Sequence, residues 1–253
     1  MLFFAPEFSW VGRIYYNTSL LRLPKQILLN QSTRHRSFQH LAIALFAADF
    51  VLVAAYVVGT FVAVPNAQIY HLINLDAEAS LGAWFSSSQL LVTSLVFAVA
   101  AYNGGRRSAQ FGFLCICALA FLFLSADESA SIHEKITMLT RGVNYLPRFN
   151  GNHGAWIPIY LGLAIVFLLL TWKTWLQSWQ SQRRELAIFL LGIGLFVAGA
   201  VLLEIVSYGA LRDLENRSYY AYQVLFEEAL ELAGVTFILL GALSICARQQ
   251  ELA

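Results

Sequence analysis

The sequence predicts an all-α protein, a six-helix transmembrane bundle preceded by an N-terminal interfacial amphipathic segment. Of its 253 residues, 58% are hydrophobic and 12% are charged, and the mean hydropathy is +0.62. A soluble domain carries about 25% charged residues, so this composition is typical of a polytopic membrane protein. The net charge of +1 gives no overall field that would attract nucleic acid, and we predict no nucleic-acid partner.

Six apolar stretches are long enough to cross a bilayer as helices, which takes about 20 residues each. The third stretch is short because Asp127 interrupts it, and we expect its helix to continue past the acidic residues to about Thr140. Glycines in the fifth and sixth stretches predict close helix packing. The stretches are residues 41–64, 83–102, 111–125, 156–176, 186–208 and 222–247.

Residues 1–40 are predicted to lie at the membrane interface, and residues 41–253 to form the transmembrane domain. Aromatic side chains such as Trp10 and Tyr15 alternate with basic ones such as Arg13 in the first part of the chain. This mixture favours the lipid headgroup region. The alternative is that the segment docks on a partner subunit. The predicted partners are therefore the lipid bilayer and, through this arm, other membrane proteins.

Lysine and arginine are distributed unevenly among the loops. They concentrate in the loops that share a side with the N-terminus, and the loop between the first two stretches contains none. Because basic loops stay in the cytoplasm, the sequence predicts an integral protein of the bacterial inner membrane with both termini cytoplasmic.

This orientation places most of the acidic residues at membrane depth toward the outer side. Asp127 ends the third stretch, Glu204 lies in the last turns of the fifth, and Glu227 and Glu231 lie about 12 to 18 Å along the sixth. Asp49 in the first stretch is the exception. Ionisable residues inside a membrane are costly and mark functional sites, so we expect a site at the outer end of the bundle.

Carboxylates and an imidazole that converge from several helices can bind a divalent metal. Zinc fits better than iron or manganese, because the chain lacks the Glu-x-x-His spacing of di-iron bundles. A bound metal would activate a water molecule, and Glu128 or Glu134 would transfer protons. The predicted metal ligands are Asp127, His133, Glu204, Glu227 and Glu231.

Simpler interpretations apply to several of these residues. Acidic side chains near helix ends are often solvated or paired with arginines of the outer loops, and this is the preferred interpretation for Asp76 and Glu78. His133 alone would be an interfacial residue. Trp156 and the other tryptophans of the later stretches are typical of interface anchors.

Two resemblances rest on short motifs. The chain contains Leu124-Ser-Ala-Asp-Glu-Ser-Ala-Ser-Ile-His-Glu, with Leu75-Asp-Ala-Glu upstream and Phe226-Glu-Glu-Ala-Leu-Glu downstream. These motifs resemble a group of uncharacterised bacterial polytopic membrane proteins with the same acidic helix ends, which implies no particular activity. Ser129-Ala-Ser-Ile-His133 is faintly similar to the Ser-x-x-x-His of alkaline-ceramidase and adiponectin-receptor zinc hydrolases. Their His-x-x-x-His is absent here, and they have seven helices.

The leading functional hypothesis is a metal-dependent membrane enzyme that hydrolyses a lipid or another amphiphile near the outer leaflet. The alternative is a non-catalytic accessory subunit of a respiratory, photosynthetic or transport complex. A third hypothesis is a proton or cation pathway, for which Asp49 is the candidate acid in the inner half.

Overall fold

The computed structural model describes residues 31–62, 66–106, 108, 110–143, 145–149, 153–207 and 217–252. The chain divides into two compact units, residues 1–41 and 42–253. Residues 1–30, the greater part of the predicted interfacial segment, lie outside the described residues, so that segment stays a prediction. Residues 31–40 belong to the first helix.

The described residues are almost entirely helical, and no strand occurs among them beyond one isolated bridge between Phe149 and His153. The predicted all-α class is confirmed. A π-helix at Ala198–Leu203 joins α7 to α8. The helices are α1 (Gln31–Phe61), α2 (Ala67–Ile73), α3 (Leu81–Gly104), α4 (Phe111–Ala130), α5 (Ile132–Leu139), α6 (Trp156–Ser181), α7 (Arg183–Val197), α8 (Glu204–Val206) and α9 (Arg217–Leu252).

Six helical segments are long and apolar enough to cross a membrane, as the sequence predicted. The α7 helix, the π-helix and α8 together form the fifth span. The protein is therefore a multi-pass integral membrane protein. The spans are Arg36–Phe61, Leu81–Gly104, Phe111–Ala130, Trp156–Ser181, Arg183–Val206 and Tyr219–Arg248.

Helices α7 and α9 pack closely along a line of glycines. A Cβ atom added to Gly192 would lie 2.5 Å from the backbone nitrogen of Ile238, and one added to Gly234 would lie 2.5 Å from that of Phe196. Such distances leave no room for a side chain, so the two backbones are in direct contact, as is common between membrane helices. We call this contact the glycine seam; it comprises Gly192, Gly199, Gly234 and Gly241.

Helix α6 contacts the bundle through large aromatic side chains. The Trp175 ring packs 5.2 Å from Phe113 of α4 and 5.8 Å from Phe189 of α7, measured between ring centroids. Nearer the other end of α6, Tyr160 packs 5.6 Å from Phe123. Aromatic rings hold helix axes farther apart than glycines do. Space therefore remains between α6 and its neighbours.

The predicted continuation of the third helix to Thr140 is wrong in one respect, because the helix breaks at Ser131. Ser131 has a φ of 48°, in the left-handed region, and separates α4 from α5. The Asp127 carboxylate accepts a hydrogen bond of 2.7 Å from the backbone N–H of His133 and so caps the first turn of α5. Asp127 and Glu134 therefore lie on two different helices.

Candidate functional site

A cavity of about 1360 Å³ lies between α4, α6, the fifth span and α9. Most of its wall is apolar, and side chains such as Leu119 and Leu161 are more than half exposed (66% and 59%), so it is continuous with the lipid-facing surface. Nine acidic residues line it, whereas the described lining residues include a single histidine, His133, and no lysine or arginine. The acidic residues are Asp76, Glu78, Asp127, Glu128, Glu134, Glu204, Glu227, Glu228 and Glu231.

The predicted site residues all line this cavity. They come from four parts of the chain: the end of α4, the start of α5, the start of α8 and the fourth and fifth turns of α9. They are Asp127, Glu128, His133, Glu134, Glu204, Glu227 and Glu231.

Asp127 and His133 form a close pair across the break between α4 and α5. The His133 Nδ1 lies 3.2 Å from Asp127 Oδ1 and 3.3 Å from Oδ2, and Asp127 is buried. Because the same carboxylate accepts the His133 backbone N–H, it fixes both the main chain and the ring. The break that sequence reasoning missed is thus what brings this pair together.

The pKa of His133 is raised from 6.5 to about 9. Burial alone would lower it, but the hydrogen bond and charge of Asp127 outweigh burial, and the charges of Glu204 and Glu78 act in the same direction. His133 is therefore an imidazolium at neutral pH, and it donates from Nδ1 to Asp127.

Trp156 connects His133 to Glu204. Its indole Nε1–H donates to Glu204 Oε1 at 3.2 Å, and its ring packs 5.4 Å from the His133 ring. Trp156 is only 7% exposed, so it is a buried part of the site rather than the interface anchor that the sequence predicted. The only sequence signal for this role is its place at the first turn of an apolar helix.

The π-helix at Ala198–Leu203 directs the end of the fifth span toward α9. A Cβ atom added to Gly199 would lie 2.7 Å from the Glu227 carbonyl oxygen and 2.7 Å from Glu231 Cγ. The glycine seam therefore reaches into the site. Because Glu204 follows the π-helix directly, that segment also determines the direction in which Glu204 points.

Helix α9 presents a row of polar side chains to the cavity. Gln223 Nε2 donates to Glu227 Oε2 at 2.9 Å, and Gln223 is 8% exposed. Its Oε1 has no hydrogen-bond partner among the described residues. Glu228 and Glu231 interact with the like charges of Glu128 and Glu227. Gln223 was not among the predicted site residues, although its position four residues before Glu227 places it on the same helix face.

The loop before α3 also contributes acidic side chains to the lining of the cavity. The Ser131 hydroxyl donates to Glu78 Oε2, and the Tyr220 hydroxyl donates to Asp76 Oδ1 at 2.8 Å. Asp76 and Glu78 thus belong to the lining of the cavity, although the sequence favoured surface pairing for them.

No group of three or more His, Cys, Asp or Glu residues in the described part of the chain is arranged to hold a metal ion. His133 Nδ1 already faces Asp127, and an imidazolium has no lone pair to offer a metal. The five predicted ligands share one cavity without forming a coordination shell. The predicted divalent metal, zinc included, stays a prediction.

Asp49 lies in a separate polar group, away from the cavity. The Thr236 hydroxyl lies 2.9 Å from Asp49 Oδ2 and 3.0 Å from Gln89 Oε1, and all three residues are buried. They come from α1, α3 and α9, so their hydrogen bonds join three spans. None of the three lines the cavity.

The comparisons with known proteins give a family. A protein-family model described as a domain of unknown function, DUF8692, matches residues 41–246, which is most of the chain. No curated protein and no solved structure matches the chain. The similarity to membrane zinc hydrolases therefore stays a prediction. The match covers the second to fifth spans completely, most of the first and sixth, and the whole acidic end of the cavity, and the protein belongs to the DUF8692 family.

Proposed function

We propose that this protein is a membrane-embedded enzyme that hydrolyses a lipid or another amphiphile.

 The apolar part of the substrate would lie in the cavity, and its polar part at the carboxylates. The observation that carries the proposal is the cavity itself, which joins a long apolar wall to a cluster of acid–base groups. Its volume of about 1360 Å³ exceeds the range of about 300–1000 Å³ that is common for small-molecule pockets. An amphiphile with a long chain fits this shape.

The charges at the polar end support acid–base chemistry. His133 is protonated at neutral pH and can donate a proton to a leaving group, while Asp127 holds its ring in place. Glu128 lies next to this pair, interacts with its charges and also lines the cavity, so it is our candidate general base for an attacking water. Glu134, the other predicted proton-transfer residue, is exposed at the rim.

A turnover assay tests this proposal. The purified full chain, reconstituted in vesicles, is incubated with ester and amide lipids, and released fatty acid is measured by mass spectrometry. We expect release with the wild type and a loss of about 100-fold or more in Glu128→Gln. The control is Glu185→Gln, which changes an acid in the first turn of α7 outside the cavity. Equal release by wild type, Glu128→Gln and vesicles alone would refute the proposal.

The metal-dependent form of the proposal has its own test. It predicts that elemental analysis of the protein, purified without chelators, finds near-stoichiometric zinc that is lost in the Glu227→Gln, Glu231→Gln double variant. Turnover without bound metal would instead leave the reaction to His133 and Glu128. The proposed orientation, with both termini in the cytoplasm, places the site at the outer leaflet.

The alternative proposal, an accessory subunit, predicts co-purification with other membrane proteins at fixed stoichiometry. The predicted docking arm lies in residues outside the described part of the chain. Purification of a monodisperse single chain that turns over lipid would exclude this alternative.

A further inference from the structure

The polar end of the cavity offers hydrogen-bond acceptors to an occupant. Glu228 and Glu231 line the cavity within the last span, and the described residues provide neither of them with a hydrogen bond or an ion pair. A charged carboxylate at membrane depth is costly without a partner. These two side chains therefore favour a cationic or donor-rich group in the cavity.

Gln223 independently indicates that the cavity accepts a group with hydrogen-bond donors. Its amide nitrogen faces Glu227 Oε2, which accepts the hydrogen bond, so the amide oxygen points elsewhere. That oxygen is buried without a partner among the described residues, in a side chain that is 8% exposed and lines the cavity. A buried acceptor without a partner is unfavourable, and an N–H donor of a ligand would supply the missing hydrogen bond.

The described lining residues do not suit an anionic headgroup. His133 is the one basic side chain among them, and it already donates to Asp127. A phosphate or carboxylate placed here would lie among like charges. A protonated amine, by contrast, has three N–H donors and a positive charge, which matches acceptors from Gln223, Glu228 and Glu231.

We propose that the amphiphile carries a protonated amine: the ammonium group binds Gln223 Oε1, Glu228 and Glu231, and its hydrocarbon chain follows the apolar wall toward Trp172 and Trp175. This inference rests on the proposed function, because it names the class of amphiphile that the same cavity accepts.

Binding of three matched probes tests the inference. A radiolabelled long-chain alkylamine, the alcohol of the same chain length and the corresponding fatty acid are each equilibrated with the purified full chain in neutral detergent. The amine is charged at neutral pH. We expect it to bind about tenfold or more tightly than the alcohol, and the fatty acid to bind most weakly.

Variants of the protein test which side chains produce the preference for the amine over the alcohol. The Glu228→Gln, Glu231→Gln double variant should lose the preference for the amine while keeping the affinity for the alcohol. Glu185→Gln, outside the cavity, should behave as the wild type does. If the double variant does not fold, Gln223→Leu, which removes the amide oxygen, should reduce amine affinity alone, and the preference of the wild type still decides the question.

Each outcome has one meaning. Equal binding of amine and alcohol, or tighter binding of the fatty acid, overturns the amine inference and leaves the amphiphile proposal intact. Binding of none of the three probes refutes both. Tight amine binding that the double variant retains shows that other groups recognise the amine and overturns the assignment to Glu228 and Glu231.

Discussion

The glycine seam and the α6 side of the bundle are held together by different means. At the seam, the α7 and α9 backbones touch, with Gly234 against Phe196 and Gly192 against Ile238. On the α6 side, rings such as Trp175 fill the distance between helices. The size of the side chains thus determines where the helices touch and where a cavity remains between them. The glycine seam lies along one wall of the site.

Polar contacts replace close packing on the α6 side. Trp156 of α6 donates to Glu204, and Asp127 and His133 join α4 to α5 beside it. Polar groups inside a membrane protein are worth roughly 1 kcal/mol per contact, less than an extended apolar interface. We therefore expect the seam to dominate stability and the α6 side to tolerate change.

The largest effect should follow from Gly234→Ala in the seam. The new methyl would lie 2.5 Å from the Phe196 nitrogen, so the helices must separate, at a cost of about 3 kcal/mol. Unfolding in a denaturing detergent measures the loss. The control is Gly194→Ala in α7, which meets nothing within 4 Å. Equal stability of the two variants would mean that the seam is not close-packed.

A smaller effect should come from the charge on His133. Because its folded pKa, about 9, exceeds the ordinary value of 6.5, its contribution is complete below pH 6.5 and is lost as the pH rises through about 9. Each pH unit of this interval corresponds to about 1.4 kcal/mol, and solvent screening at a side chain that is 26% exposed reduces the expected loss of unfolding free energy to about 2 kcal/mol in total. Asp127→Asn should remove most of that dependence. A His133 pKa near 6.5, measured by NMR titration, would contradict the pairing.

Filling the cavity should change binding more than stability. Ala120→Trp on α4 places a ring in the cavity, and we expect amphiphile affinity to fall about tenfold while the fold persists. Leu122→Trp, on the exposed side of the same helix and outside the cavity lining, is the matched control. Unchanged affinity in Ala120→Trp would place the amphiphile elsewhere.

The smallest effect should come from Gly162→Ala in α6. A Cβ atom at this position meets nothing within 4 Å, in contrast to the seam glycines. The higher helix propensity of alanine should leave stability unchanged or raise it by up to about 1 kcal/mol. A clear loss of stability in the unfolding assay would show that α6 packs as closely as α9 does.

Hydropathy was sufficient to predict the six spans, because a transmembrane helix is a local property of about 20 residues. The meeting of Asp127 with Glu204 and Glu227 in one cavity was also predictable, since alternating spans bring the same ends together. The break at Ser131 was not, because no glycine or proline marks it.

The cavity itself could not be read from the sequence. It depends on which aromatic side chains face a neighbouring helix, and Trp156 or Trp175 could equally have faced lipid. The π-helix before Glu204 was not predictable for the same reason. Its position depends on the contacts of Gly199 with α9 rather than on local propensity.

The π-helix has a consequence for chain length. A π-turn holds one residue more than an α-turn, so deletion of a single residue within residues 198–203 would restore a regular α-helix. Because the wide turn had absorbed the extra residue, Glu204 would keep its direction toward Trp156. Deletion of Leu169 from the regular helix α6 would instead rotate the residues after it by about 100° relative to those before it. The fifth span can therefore lose one residue at the π-helix and keep the contact between Glu204 and Trp156.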